Sequence, residues 1–259
     1  MISAPPRPQL IIPHLKLRRP QKGKPMTLVA AFRTQKNGIL FCADREEIEG
    51  DSKREIDKIH RILLKPCEVF MAGCGRTGII ANACGEIFSA LKDDVDRGKD
   101  ILSGHKGRIE SGLGSIYRRY VKSDQDAIDF LIVIAPHTLG SFPLLYKTEG
   151  TMLVQEPLYA AQGSGKTISD YFADRLYRQE YSNDALTLLA AFICREAEYK
   201  ALGVGMGFDM IFIHDGDSAT KRHLSPDAVR ELQMHIPSLS DTIYSYWKDH
   251  AKIPEWLMK

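Results

Sequence analysis

The chain has 259 residues, of which 44% are apolar and 26% are charged. These values are typical of a globular protein and exclude a disordered chain, a collagen-like repeat and a disulfide scaffold. The formal net charge of +2 is too small to indicate a surface for nucleic acid or for a membrane across the whole molecule. No apolar run approaches the roughly 18 residues that a membrane-spanning helix needs.

The cysteines show no pattern of disulfide or metal chemistry. They form no CxxC pair, and none is followed by histidine at zinc-finger spacing. Sparse cysteines of this kind are typical of reduced, buried thiols, so we expect a cytoplasmic protein without a metal or other cofactor. The five are Cys42, Cys67, Cys74, Cys84 and Cys194.

Residues 1–25 differ in composition from the rest of the chain. They contain six prolines, six lysines or arginines and no acidic residue, so the remainder has a formal charge of −4. Frequent prolines exclude a helix across this segment, and its short apolar run is no signal-peptide core. We predict a basic, proline-rich extension that either stays attached or is a propeptide removed before Thr27.

The first predicted elements are two β-hairpins. Segments 27–33 and 38–44 are apolar and β-prone, and the Gln-Lys-Asn-Gly sequence between them is typical of a turn. Segments 58–64 and 68–72 are predicted to form the next two strands. The second of these ends at Gly73, where a glycine-rich turn begins.

Helices and further strands are predicted in the middle of the chain. Apolar residues recur at helical spacing over 77–91, and a second helix is predicted over 109–121. The segment 130–135 is apolar throughout, as expected of a strand covered on both faces. Segments 144–146 and 152–154 are predicted to pair as an antiparallel hairpin.

The last part of the chain is predicted to form two helices, a strand and a helical appendage. The helices cover 166–178 and 185–202, with Asp184 as the N-cap of the second. A strand over 208–214 then turns at Asp215-Gly216, and residues 225–259 have helical periodicity. Because strands and helices come in runs, an α+β fold is favoured over a doubly wound parallel sheet, and two stacked antiparallel sheets with helix pairs outside fit these elements.

The sequence Gly163-Ser164-Gly165-Lys166-Thr167 resembles part of a phosphate-binding loop. The complete pattern has a leading glycine, but Ala160 occupies that position. The alternative interpretation is a tight turn between strand and helix, in which Ser164 caps the helix. Nucleotide binding is therefore one hypothesis for this segment.

A second candidate site is spread over several strand ends. The stretches TLVAAFRTQKNGILFCADRE, DKIHRI and VFMAGCGRTG, in that order, resemble the proteasome β-type subunits and their bacterial two-ring relatives. The later segments YAAQGSGKT and GFDMIFIHDG fit the second half of that family, so the resemblance covers about Thr27 to Gly216. It implies a four-layer αββα sandwich of the N-terminal-nucleophile hydrolase type, assembled into stacked rings.

The chemistry implied by the resemblance uses an N-terminal threonine. Its hydroxyl attacks a peptide carbonyl, and its free α-amino group, with a pKa near 8, acts as the base. Each matching residue also fits an ordinary role in a strand or turn. The implied residues are Thr27 as nucleophile, Asp44 and Lys58 as groups that tune it, Gly73 as the oxyanion-binding backbone, and Ser164 beside the threonine amine.

The sequence departs from the family pattern at several positions. The nucleophile follows Met26 rather than glycine, and a shift of one residue in the alignment would place Met26 itself at the nucleophile position. Ala201 and Val204 stand where the family has an aspartate and a serine that support the amine. The resemblance also implies that Met71 lines the pocket for the residue before the cut.

Three functional hypotheses follow. Residues 26–259 form a proteasome β-like domain that is either a threonine endopeptidase acting on proteins or peptides, or an inactive subunit of a ring. In both versions the implied partners are like subunits, in a homo- or hetero-oligomer, and a regulatory ATPase. The third hypothesis is a nucleotide-binding protein that uses the GSGKT segment.

Overall fold

The computed structural model describes residues 27–49, 52–97, 101–138, 140–214 and 222–235. The predictions for the basic extension, for the turn at Asp215-Gly216 and for the appendage beyond residue 235 lie outside the described residues.

Twelve strands and five α-helices occur in the described residues. The strands are β1 (Leu28–Arg33), β2 (Ile39–Asp44), β3 (Glu46–Glu49), β4 (Ser52–Glu55), β5 (Ile59–Leu63), β6 (Cys67–Cys74), β7 (Asp129–Pro136), β8 (Leu144–Glu149), β9 (Met152–Gln155), β10 (Tyr159–Gly163), β11 (Phe208–Ile213) and β12 (Arg222–Leu224). The helices are α1 (Thr77–Asp96), α2 (Ile101–Tyr120), α3 (Lys166–Leu176), α4 (Asn183–Lys200) and α5 (Pro226–Met234).

Two five-stranded sheets form the centre of the molecule. One has the strand order β10-β1-β2-β11-β12 and the other β5-β6-β7-β8-β9, and every pair of neighbours is antiparallel. Strands β3 and β4 form a separate two-stranded ribbon. The absence of parallel pairs among the described strands agrees with the prediction against a doubly wound sheet.

Three apolar layers hold the elements together. Val29, Phe41, Phe70 and Leu131 belong to the layer between the two sheets. A second layer joins the outer face of the β5–β9 sheet to α1 and α2, and a third joins the β1-containing sheet to α3, α4 and α5. The order helix, sheet, sheet, helix confirms the predicted four-layer αββα sandwich.

Several predicted boundaries were wrong. Helix α2 begins at Ile101 rather than near residue 109 because its early turns are held in place, in part by His105 Nε2, which lies 2.8 Å from the Tyr146 hydroxyl. Helix α4 is capped by Ser182, whose side chain accepts the Ala185 N–H, and Asp184 instead lies in the first turn.

No helix in the described part of the chain is both long and apolar enough to cross a bilayer. All five cysteines are free thiols; four are buried and Cys84 is partly buried. Burial raises the pKa of the Cys67 thiol to about 11 and that of Cys84 to about 12.

Candidate active site

Thr27 lies between a carboxylate and an ammonium group. It precedes β1, while Asp44 ends the neighbouring strand β2 and Lys58 precedes β5 of the other sheet. The Thr27 hydroxyl donates to Asp44 Oδ1, and Lys58 Nζ donates to Thr27 Oγ1 at 2.5 Å. The Thr27 hydroxyl therefore contacts both charged side chains that the resemblance pairs with a nucleophile.

Asp44 and Lys58 form a buried ion pair beside Thr27. Lys58 Nζ is 2.9 Å from both carboxylate oxygens of Asp44, whose side chain has no exposed surface. Burial raises the pKa of the Asp44 carboxyl, whereas the Lys58 charge and the hydrogen bonds from Thr27, Lys58 and the Leu28 N–H oppose that rise. The pair lies where it can polarise the Thr27 hydroxyl and take part in its proton transfer.

Ser164 binds the backbone of Thr27. The Thr27 N–H donates to Ser164 Oγ at 3.2 Å, and this hydroxyl lies 3.2 Å from the Leu202 carbonyl oxygen and 3.3 Å from that of Thr27. Gly165 N–H also donates to the Thr27 carbonyl at 3.2 Å. Ser164 therefore contacts the Thr27 nitrogen, and the predicted helix cap is wrong because Gly165 is the N-cap of α3, with no side-chain hydrogen bond.

Gly163 gives the Thr27 backbone the space that it occupies. Its φ is +92°, and a Cβ at this position would lie 2.3 Å from the Thr27 carbonyl oxygen. Only glycine fits both the backbone angle and the close approach.

Gly73 and Met71 lie on β6, which continues past the predicted end at residue 72 to Cys74. A Cβ at Gly73 would lie 2.8 Å from the ring of Phe130 and 3.0 Å from Ile80, so packing alone requires glycine here. Met71 has no exposed surface and belongs to the apolar layer under α1 and α2. The oxyanion role of Gly73 and the pocket role of Met71 stay predictions.

The loop between α4 and β11 contributes a group that the sequence interpretation missed. Gly205 N–H donates to Asp44 Oδ2 at 3.4 Å, and Glu46 N–H donates to the same oxygen at 3.1 Å. A Cβ on Gly205 would lie 2.8 Å from Glu46 Oε2 and 3.5 Å from Glu198 Oε1. Glycines at positions 203, 205 and 207 were the available signal for a tight loop.

Two apolar residues and one glutamate, Glu198, lie in or beside this loop. Val204 is buried in the layer beneath the helices, and Ala201 packs against that layer. Glu198, three residues before Ala201, reaches the edge of the loop, and burial raises the pKa of its carboxyl. Among the described residues, no group of three or more His, Cys, Asp and Glu side chains is arranged to hold a metal ion.

The GSGKT segment lacks the shape of a phosphate-binding loop. Strand β10 continues to Gly163, so only Ser164 and Gly165 separate it from α3. The Ser164 hydroxyl contacts Thr27 and Leu202, and Lys166 forms an ion pair with Asp170. The complete motif needs a longer loop whose backbone surrounds the phosphates, so this geometry does not support the nucleotide hypothesis.

Solved structures from several bacteria share this architecture. Anbu from Hyphomicrobium sp. strain MC1 superposes with a TM-score of 0.70 at 16% identity, covering 88% of this chain and 100% of that chain. Anbu from Yersinia bercovieri, described as an ancestral β-subunit, has a TM-score of 0.69 at 13% identity, covering 88% and 98%. The chain shares its fold with these Anbu structures. A third match, to the helical assembly of the Anbu complex from Pseudomonas aeruginosa, has a TM-score of 0.69 at 14% identity, with the same coverage of 88% and 98%.

The Anbu fold corrects the family suggested by the sequence. The resemblance to proteasome β-type subunits was wrong as a family assignment, because these matching structures are Anbu proteins, a distinct family with a proteasome-like architecture. No family model matches the chain, and no curated protein matches it in sequence. At 13–16% identity the Anbu structures establish the shared N-terminal-nucleophile hydrolase fold.

Proposed function

We propose that this protein is an N-terminal-nucleophile hydrolase of Anbu fold that cleaves peptide bonds with Thr27. The observation that carries the proposal is the position of Thr27 Oγ1, which contacts both the Lys58 ammonium and the Asp44 carboxylate. A threonine that merely continued a strand would have no need of a buried ion pair on its hydroxyl, since burying two charges is costly.

The reaction requires that the Met26–Thr27 bond be cut first. The Thr27 nitrogen then becomes a free amine held by Ser164. This amine takes the hydroxyl proton as Oγ1 attacks the substrate carbonyl, and returns the proton to the leaving amine as the peptide bond breaks. Water then hydrolyses the acyl ester and regenerates Thr27.

The charged pair supports these steps. Lys58 stabilises negative charge that develops on Thr27 Oγ1. Asp44 binds both groups and so keeps them close together. The Gly73 backbone is the proposed oxyanion-binding group. Losing one such donor costs roughly 3–4 kcal/mol in other hydrolases.

We propose that the protein assembles with copies of itself or of similar chains. The support is the Anbu fold together with the helical assembly described for Anbu from Pseudomonas aeruginosa. A regulatory ATPase partner and a cytoplasmic location stay predictions.

The test is hydrolysis of a fluorogenic peptide library by a chain made with Thr27 as its first residue. We expect hydrolysis by this chain, a reduced rate in Thr27→Ser and loss of activity in Thr27→Ala and Lys58→Ala. Lys166→Ala is the matched control, because Lys166 is paired with Asp170 on α3, and its rate should not change.

Val204 and Ala201 favour the alternative that the protein is an inactive subunit. These apolar residues stand where the implied family supports the amine with polar groups. An assembled protein with a free Thr27 amine and no hydrolysis of any peptide would favour an inactive subunit over the hydrolase.

A further inference from the structure

Arg45 follows Asp44 directly and contacts three carboxylates, two from residues 55–57 and one from β11. Its Nε donates to Glu55 Oε1 at 2.8 Å, at the end of β4. Its Nη1 lies 2.5 Å from Asp209 Oδ2 in β11 and also contacts Asp57, the residue before Lys58. The guanidinium thus joins its own strand end to residues 55–57 and to β11.

The backbone of Arg45 holds the same segments. Its N–H lies 3.2 Å from the Gly205 carbonyl oxygen and 3.1 Å from that of Gly207. Its carbonyl accepts the Ile56 N–H at 2.9 Å. Arg45 therefore contacts the two segments that bind Asp44. One is the loop whose Gly205 N–H donates to Asp44, and the other is the segment that leads to Lys58.

The Arg45 guanidinium is fixed on its buried side by Asp209, while Asp57 binds it from the exposed side. The Arg45 side chain is 16% exposed and that of Asp209 is 5% exposed, whereas that of Asp57 is 76% exposed. A partly buried guanidinium holds its carboxylate partners in a fixed, planar geometry, unlike a flexible surface pair. Asp57, the residue directly before Lys58, contacts this guanidinium.

We propose that Arg45 is a positioning residue that fixes the Lys58 ammonium against Thr27 and Asp44 by binding Asp57. The role of this position in hydrolysis rests on the proposed function, but the placement of Lys58 does not. Arg45 does not touch Thr27, so it acts through Lys58 and through the loop at Gly205.

The placement is tested by the rate at which dilute acetic anhydride acetylates each lysine, measured by peptide mass spectrometry on the full chain. Lys58 is 10% exposed and bonded to Thr27 and Asp44, so it should react slowly in the unsubstituted protein. In Arg45→Gln we expect Lys58 to react about tenfold faster, because local opening becomes easier. Arg45→Lys keeps the charge without the fork and should give an intermediate rate.

Two further variants keep the result interpretable. Asp57→Asn removes an exposed partner, so it should leave the fold intact and still accelerate acetylation of Lys58. Arg61→Gln is the matched control, because Arg61 on β5 also binds a buried carboxylate, that of Glu68 on β6, at 3.0 Å. Lys147, which is 25% exposed, reports whether the whole fold has loosened.

Faster acetylation of Lys58 in Arg45→Gln and Asp57→Asn, with Lys147 and the Arg61→Gln protein unchanged, supports the proposal. Unchanged acetylation of Lys58 in both variants, or an equal rise in Arg61→Gln, overturns it. If the chain starting at Thr27 hydrolyses peptides, Arg45→Gln should lower kcat about 10²-fold with little change in KM and shift the pH profile. If it hydrolyses nothing, the proposed function fails while acetylation still decides the role of Arg45.

Discussion

Glycine at position 163 determines where the Thr27 backbone can lie. A methyl group there would meet the Thr27 carbonyl oxygen at 2.3 Å, and the φ of +92° disfavours any other residue. We expect Gly163→Ala to displace Thr27 and to reduce peptide hydrolysis by about 10²-fold, the cost of a misplacement near 1 Å. The measurement is kcat/KM of the chain that begins at Thr27.

The control for this change is Gly85→Ala on the exposed face of α1, where an added Cβ meets nothing within 4 Å. It should keep full activity and stabilise the helix by up to about 1 kcal/mol. Equal activity in both variants would show that Gly163 does not position the nucleophile.

His60 makes stability depend on pH. Burial lowers the pKa of its imidazole below the usual 6.5, so the unfolded chain binds a proton more readily than the folded chain. Stability should therefore fall as the pH drops from about 7.5 to about 5.5, and His60→Gln should reduce that fall. Urea unfolding at both pH values measures it, and an identical fall in the two proteins would contradict the prediction.

The individual site residues could be predicted only through their order along the chain. Thr27, Asp44 and Lys58 carry no local motif, and 14 residues separate the two charged partners, Asp44 and Lys58. The contacts of Arg45 could not be predicted at all, because they depend on how the hairpin and β11 meet in space. The glycines around Gly205 indicated a tight loop, but nothing in the sequence indicated that Gly205 N–H would bind Asp44.

At the scale of elements, the β3–β4 ribbon escaped prediction because its sequence lacks the alternation of a half-buried strand. Charged pairs stabilise it instead: Lys53 Nζ lies 2.9 Å from Glu46 Oε1, and Arg54 binds Glu47. Cross-strand charge pairs of this kind contribute a few tenths to about 1 kcal/mol each, and apolar patterns do not reveal them. Most apolar strands, by contrast, were predicted within a few residues, but β10 received no strand bounds.

The cap of α4 allows a direct test of an element boundary. Ser182 accepts the Ala185 N–H at 3.2 Å, so Ser182→Ala should lower the unfolding free energy by about 1 kcal/mol. Asp184→Ala removes only a charge from the first turn and should cost about 0.3 kcal/mol. Denaturant unfolding of the two variants gives the comparison, and a larger loss in Asp184→Ala would restore Asp184 as the cap.

At the scale of the molecule, the sequence predicted the layer arrangement correctly and the family incorrectly. The element order fitted antiparallel sheets with helix pairs outside, the resemblance implied the four-layer sandwich, and the Anbu structures share that architecture. The sequence motifs that distinguish related families are not retained at an identity near 16%, so the family could not be predicted from them.

Processing and assembly are the predictions that belong to the whole molecule. If Thr27 cuts its own preceding bond, the intact mass of the purified protein should lack residues 1–26, while Thr27→Ala keeps them. Light scattering on both proteins should show an assembly of several copies. A full-length mass would contradict self-cleavage, and a monomer at micromolar concentration would contradict assembly.

The nucleophile itself is identified by trapping the acyl group. The chain beginning at Thr27 would be incubated with an activated peptide ester, quenched in acid and digested for mass spectrometry. The account predicts an acyl adduct on Thr27 Oγ1 that accumulates in the unsubstituted protein and is strongly reduced in Lys58→Ala. An adduct on another residue, or hydrolysis that continues unchanged in Thr27→Ala, would contradict the assignment of Thr27 as the nucleophile.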